Sequence, residues 1–266
     1  MTYEAIILER DGHVATIRLN RPDKHNAINS VMSREMIDAL DALEADHDIR
    51  VIILTGAGDK AFCAGADMAE AVQVQSNGRD GKDFAAQAAI RLARVKKPVI
   101  AAVNGHTYGG GAVFAIACDI RVASDNARFR FVGASYGLSV GASQLPRLIG
   151  APMAKELIFT ARTVDADEAL RIGLVNHVVE QVELPHFVME MATQIAGNSP
   201  GAILASKEVI DIATANRDAA KREMEHNAVL RQSEEHRSRF KAAAERVTGG
   251  QWPGGFMIDS PRWCAA

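Results

Sequence analysis

Two stretches of the chain have the residue types that small-molecule chemistry at a main chain requires. The first, residues 55–67, reads Thr-Gly-Ala-Gly-Asp-Lys-Ala-Phe-Cys-Ala-Gly-Ala-Asp. The second, residues 103–111, reads Val-Asn-Gly-His-Thr-Tyr-Gly-Gly-Gly. Each follows a short apolar run and leads toward a helical pattern. Small residues let a ligand come close to backbone atoms, and unpaired N–H groups at a helix start attract negative charge. Two such N–H groups aimed at one carbonyl oxygen make an oxyanion hole, which stabilises the charge developing in an enolate or a tetrahedral intermediate. Taken alone, a glycine run is more often a turn or a close-packing device. Neither stretch is a dinucleotide fingerprint or a phosphate-binding P-loop.

The elements that must position these stretches follow from periodicity. Residues 5–8 and 14–19 flank Asp11-Gly12 and read as a hairpin. Ser30 is the expected N-cap of a helix carrying Met32, Met36, Leu40 and Leu43 at helical spacing. Residues 51–55 and 99–103 are continuous apolar runs, the pattern of strands buried on both faces. A helix is expected over 83–95, and another opens at Gly109-Gly110-Gly111 and runs to about Cys118. Short strands are expected at 120–123 and 127–131. Beyond residue 150 the chain turns helical, with helices at 152–160, 165–172, 184–197, 200–215 and 217–246, interrupted by a strand over 174–179. This order gives an α/β core followed by a helical C-terminal part. The tail, 249–266, is rich in Gly and Pro and reads as irregular.

Composition narrows the class. Of 266 residues, 48% are hydrophobic and 24% charged, near the globular average, which argues against a largely disordered chain. A formal charge of −3 argues against a dedicated nucleic-acid binder. No apolar run approaches the ~20 residues of a membrane helix. The first residues carry Glu4, Glu9, Arg10 and Asp11 with no basic-then-apolar order, so no secretory signal is expected. Cys63, Cys118 and Cys264 are far apart, without zinc-type spacing, so no metal site is expected and a reducing, cytoplasmic location is the simplest reading.

Nearly the whole chain resembles the crotonase superfamily, also called the enoyl-CoA hydratase/isomerase family. The resembling segments are Leu19-Asn20-Arg21-Pro22, Asn26-Ala27-Ile28-Asn29, residues 61–67, residues 97–105, Gly109-Gly110-Gly111 and Cys118-Asp119. They continue with residues 145–150, Ala166-Asp167-Glu168-Ala169, Gly173-Leu174-Val175, Ser233-Glu234-Glu235-His236 and Glu245-Arg246. The resemblance implies a spiral of ββα units over 1–198, with a C-terminal helical trimerisation region and tail over 199–266. It implies an acyl-CoA thioester as substrate, so that CoA enters as part of the substrate and no separate cofactor is needed. It also implies a homo-trimer or hexamer. The enolate would be held by the N–H groups of Ala66 and Gly110, and CoA would lie along Lys24, Ala64, Ala66, Asp67 and Met68.

The chain departs from the family at the positions that move protons. Family hydratases usually carry one glutamate two residues after the glycine triplet, where this chain has Val113. The second falls at Gly133, with Ala134 an equally inert alternative. Some family isomerases place an aspartate where this chain has Ser139, before Val140-Gly141. Tyr136, with Ser135 and Ser143, lies in the same loop, and His106 and Cys63 lie within the glycine stretches. Hydration by paired glutamates is therefore disfavoured, and another lyase or isomerase reaction through an enolate is favoured. A catalytically weak acyl-CoA-binding or sensing protein is the alternative.

Overall fold

The computed structural model describes residues 3–76 and 84–248. Strands β1 (Ile6–Asp11) and β2 (Val14–Leu19) form the expected hairpin. Asp11 pairs with Val14, so the turn residues are Gly12 and His13 rather than Asp11 and Gly12. Gly12 takes φ 53°, as a two-residue loop with glycine first requires. Helix α1 (Ser30–Ala45) is capped by Asn29, whose side chain accepts the Met32 N–H at 2.9 Å; Ser30 is therefore the first helical residue, not the cap. Its Met32, Met36, Leu40 and Leu43 are fully buried.

From there a unit repeats. A strand of a large sheet is followed by a short strand of a small sheet, and then by a helix. The first unit is β3 (Val51–Gly56), β4 (Ala61–Cys63), α2 (Met68–Ser76) and α3 (Phe84–Leu92). The second is β5 (Val99–Val103), β6 (His106–Tyr108) and α4 (Gly110–Ala117). The third is β7 (Ile120–Ser124) and β8 (Arg128–Arg130), followed by a 3-10 turn over Gly133–Tyr136 and by α5 (Leu145–Thr160). Then come β9 (Thr163–Asp165), α6 (Ala166–Arg171), β10 (His177–Val179), α7 (Leu184–Ala196), α8 (Pro200–Thr214), α9 (Arg217–Leu230) and α10 (Glu234–Thr248).

The large sheet has the order β1-β2-β3-β5-β7-β10, parallel throughout except for the β1–β2 hairpin. The small sheet has the order β4-β6-β8-β9. Alternation across β3 and β5 explains why both read as continuous apolar runs. Ile52, Leu54, Ala101 and Val103 face the main core, while Val51, Ile53, Ile100 and Ala102 pack beneath Leu184, Val188 and Ala192 of α7.

Three short strands, β4, β6 and β9, are absent from the sequence reading. Each has three residues, too few for a period to show, and each exists only through pairing with distant chain. The helix expected over 152–160 starts earlier, at Leu145, and is broken by Gly150 at φ 74° just ahead of Pro152. The helix expected over 217–246 is two helices. Ser233 separates them, its hydroxyl accepting the His236 N–H at 3.1 Å as the start of α10. The expected irregular tail, 249–266, lies outside the described residues.

Candidate active site

The site is built where the two glycine stretches meet, at the ends of β4 and β6. Gly65 takes φ +93°, a backbone that side-chain-bearing residues rarely adopt. A Cβ there would lie 2.8 Å from the Tyr108 carbonyl oxygen and 3.1 Å from the Gly110 nitrogen. Gly111 has a matching role from the other side, since a Cβ on it would lie 2.1 Å from the Cys63 carbonyl oxygen. Only glycine at both positions lets the two stretches close on one another.

Ala66 is fixed by its neighbours. The Ile28 N–H donates to the Gly65 carbonyl at 2.7 Å, and the Asp67 N–H donates to the Ile28 carbonyl at 2.9 Å. This parallel bridge uses the groups on either side of Ala66 and leaves its own N–H without a partner among the described residues. Gly110 opens α4, where the first N–H groups have no intrahelical acceptor. Its N–H is likewise unpaired among the described residues. Two unpaired donors thus flank the Gly65–Gly110 contact, one of them at a helix N-terminus.

Two buried asparagines hold this frame. Asn26, at φ 56°, donates to the carbonyls of Ala57 at 3.0 Å and Ala61 at 2.8 Å, and accepts the Arg21 N–H at 3.0 Å. Asn104 donates to the Gly56 and Gly58 carbonyls at 3.0 and 2.8 Å and accepts the Gly56 N–H at 3.1 Å. Both stand inside the segments that carry the family resemblance, but sequence reasoning gave neither a role. Their signal was available, since a buried polar group must find partners and each amide sits at a loop rich in carbonyls.

The other expected residues are distributed around this point. Lys24 is exposed at the end of a 3-10 turn over Pro22–Lys24. The next residue, His25, accepts the Ala64 N–H at 2.9 Å, which brings that turn beside the first glycine stretch. Asp67 is committed to local structure. Its carboxylate pairs with Arg21 at 2.8 Å and accepts N–H groups of Ala69 and Glu70 at the start of α2, where Met68 is the first residue. Glu70 is taken up by the N–H and hydroxyl of Ser30, at 2.8 and 2.6 Å.

Val113 lies on the first turn of α4, half-buried against the core. Gly133 is buried, and a Cβ there would lie 2.9 Å from the Val140 Cβ and 3.0 Å from the Leu138 carbonyl oxygen. The loop after it packs on α4, since a Cβ on Gly141 would lie 3.5 Å from Ile116 Cδ1. Tyr136 packs edge-on against Phe240 of α10, its ring centroid 6.1 Å away. Burial raises the pKa of its phenol, partly offset by Arg130 and Arg246. Burial also pushes the Cys63 thiol up to about 12, so it is a protonated core residue and not a nucleophile. His106 contacts the Tyr108 hydroxyl at 3.0 Å on one face of β6, and burial, with His25 and Arg128 nearby, lowers its pKa.

The C-terminal helices complete the surroundings in a way that sequence reasoning did not foresee. Helix α10 packs on α2 and on the turn Gly133–Tyr136. Its buried His236 contacts the Tyr136 carbonyl through Nδ1 at 2.7 Å. From α9, the Asn227 amide accepts the Ser139 N–H at 2.9 Å and donates to the Ser139 carbonyl. The Glu223 carboxylate accepts the N–H groups of Ala142 and Ser143 at 3.0 and 2.8 Å. Among the described residues no cluster of His, Cys, Asp and Glu is placed to hold a metal ion, and no helix is long and apolar enough to cross a membrane.

A two-sheet spiral of ββα units followed by helices defines the crotonase class of α/β proteins. Residues 9–247 match the family model described as enoyl-CoA hydratase/isomerase, and the chain belongs to that family. It is 45% identical over 215 residues to the short-chain-enoyl-CoA hydratase of Clostridium acetobutylicum, covering 79% of this chain and 82% of that protein. It is 42% identical over 213 residues to the crotonyl-CoA hydratase of Syntrophomonas wolfei, covering 78% and 81%. Among solved structures, an enoyl-CoA hydratase/isomerase from Pseudoalteromonas atlantica matches with a TM-score of 0.83 at 28% identity, over 91% of this chain and 98% of that one.

Proposed function

We propose that this chain is an enzyme acting on an acyl-CoA thioester through an enolate held by the N–H groups of Ala66 and Gly110. The observation that carries the reading is the pair of unpaired donors on either side of the Gly65–Gly110 contact. Such donors are fixed before the reaction, so they need no reorganisation as charge develops on the thioester oxygen. The two hydratase relatives support the CoA thioester as substrate. In this reading CoA lies along Lys24, Ala64, Ala66, Asp67 and Met68. Asp67 contributes by bracing this loop, because Arg21 and the start of α2 occupy its carboxylate.

Proton transfer is where this chain parts from paired-glutamate hydration. Neither Val113 nor Gly133 carries a group that titrates. Crowding by Val140 and Leu138 also argues that the loop is not built for a longer side chain at Gly133. Tyr136, with its raised phenol pKa, is a proton donor rather than a base at neutral pH. Ser139 offers a hydroxyl for a hydrogen bond or a held water. This set suits reactions in which the enolate forms without a strong protein base, such as isomerisation assisted by substrate or loss of CO₂ from a malonyl-type thioester. The same absence of carboxylates favours the second reading, a protein that binds acyl-CoA and turns it over weakly. For assembly, the reading is a trimer or hexamer. Val209, Ile210 and Ile212 of α8, with Met224 and Val229 of α9, are each more than half exposed in the single chain and suit a subunit contact.

Calorimetry with crotonyl-CoA and longer thioesters, paired with a hydration assay and α-proton exchange in D₂O, tests the reading. Binding is expected. Hydration is expected to fall below that of a paired-glutamate hydratase by at least the ~10²-fold that one general acid–base group contributes. Full-speed hydration would overturn the account of Val113 and Gly133. Failure of every acyl-CoA to bind at millimolar concentration would overturn the substrate class.

A further inference from the structure

The loop that replaces the usual catalytic carboxylates is not held by its own spiral core alone. Side chains of the C-terminal helices grip its main chain at three places. Asn227 forms a two-way pair with Ser139, accepting its N–H and donating to its carbonyl. Glu223, one turn earlier on the same face of α9, spans the successive N–H groups of Ala142 and Ser143. His236 of α10 meets the Tyr136 carbonyl.

The Glu223 contact has a specific physical logic. Gly141, at φ +80°, turns the chain into α5, and its carbonyl accepts the N–H groups of Gln144 and Leu145. The Ala142 and Ser143 N–H groups lie in the turn that leads into that helix and have no main-chain acceptor among the described residues. A carboxylate there meets two orphan main-chain donors at once in a charge-assisted pair of hydrogen bonds. The stripe Ala219, Glu223, Asn227 and Leu230 is the less exposed side of α9. Two polar members of that stripe are spent on backbone groups far away in the chain.

We propose that Glu223 and Asn227 are positioning residues that set the acyl-facing loop 139–143, so that helix α9 tunes which acyl groups the site accepts. The proposal rests on the acyl-CoA reading above. Neither residue touches the reacting atoms. Each acts through the loop, which packs on α4 at Ile116. The contribution falls on the acyl portion of the substrate and leaves recognition of the CoA portion at Lys24 and Ala64 unchanged.

The test compares wild type with Glu223→Gln and Asn227→Asp in the full chain. Glutamine keeps the shape but offers one acceptor to two donors and sets its own NH₂ against the other. Aspartate keeps the acceptor for Ser139 N–H and loses the donor for its carbonyl. Each variant is assayed for Kd of free CoA, and for kcat and KM on crotonyl-CoA and octenoyl-CoA; where turnover is too slow, thioester Kd values serve instead. Amide exchange is followed at residues 139–143. A loop displacement altering a pocket by one or more methylene widths should change the octenoyl-to-crotonyl preference by about ten-fold. Free CoA affinity should stay within about two-fold, and exchange at Ala142 and Ser143 should quicken as those bonds open. An unchanged acyl preference overturns the proposal, as does an equal loss of CoA affinity and of activity on both thioesters, the signature of general damage. Wild type failing to bind any thioester would instead remove the acyl-CoA reading, and the proposal with it.

Discussion

Replacing Gly65 by alanine isolates the contact on which the proposed chemistry depends. At φ +93° an alanine carries backbone strain of about 1–3 kcal/mol. Its Cβ would also sit 2.8 Å from the Tyr108 carbonyl oxygen and 3.1 Å from the Gly110 nitrogen. Both neighbours are main-chain atoms, so no flexible side-chain end can yield and the β6–α4 junction must shift. The Gly110 N–H would then be displaced or occluded, and losing one oxyanion donor costs about 10²–10³ in kcat. Gly12→Ala is the control. Gly12 also has positive φ, at +53°, but a Cβ on it would meet nothing within 4 Å. Both variants should lower Tm by a few degrees, at roughly 2–4 °C per kcal/mol for a domain of this size class. Only Gly65→Ala should lose kcat, measured by spectrophotometry on the best thioester, while calorimetry shows free CoA binding nearly unchanged. A folded Gly65→Ala protein with wild-type kcat would refute the assignment of Ala66 and Gly110 as the oxyanion donors.

Two further outcomes follow from burial. Cys63 and Cys118 are both held near a pKa of about 12 by burial, whereas an unfolded thiol titrates near 8.5. The unfolded chain therefore loses these protons first as pH rises. Stability that is present below pH 8.5 is lost progressively up to about pH 12, at about 1.4 kcal/mol per pH unit per thiol. Unfolding free energies from urea titrations between pH 8 and 11 should fall with that slope, and those of a Cys63→Ala, Cys118→Ala double variant should fall less steeply; equal slopes would contradict the burial argument. On α8, Ile210→Glu should convert the proposed trimer or hexamer to a monomer by sedimentation without loss of helical signal, and an unchanged sedimentation coefficient would place any subunit contact elsewhere.

Much of this protein is determined by sequence alone. The apolar runs at 51–55 and 99–103 required strands buried on both faces, and β3 and β5 are such strands, with the main core on one side and α7 on the other. Met32, Met36, Leu40 and Leu43 required a helix with one buried stripe. The glycine stretches announced close main-chain approach, and the family segments gave the order of the spiral. Local signals suffice for these because each is written within a window of several residues.

Other features exist only once distant segments meet. Strands β4, β6 and β9 have three residues each and are defined by their partners, not by a period of their own. The cap of α1 shifted by one residue because Ser30 had a better use, bonding Glu70 from forty positions away. That the N–H of Ala66 has no partner among the described residues depends on Ile28 taking the groups on either side of it. The grip of Glu223 and Asn227 on residues 139–143 spans more than eighty positions. On the sequence these two were ordinary polar residues of an exposed helix. Only folding set them against unpaired backbone groups, and hydrogen-bonding need is a property of a place in space, not of a place in the chain.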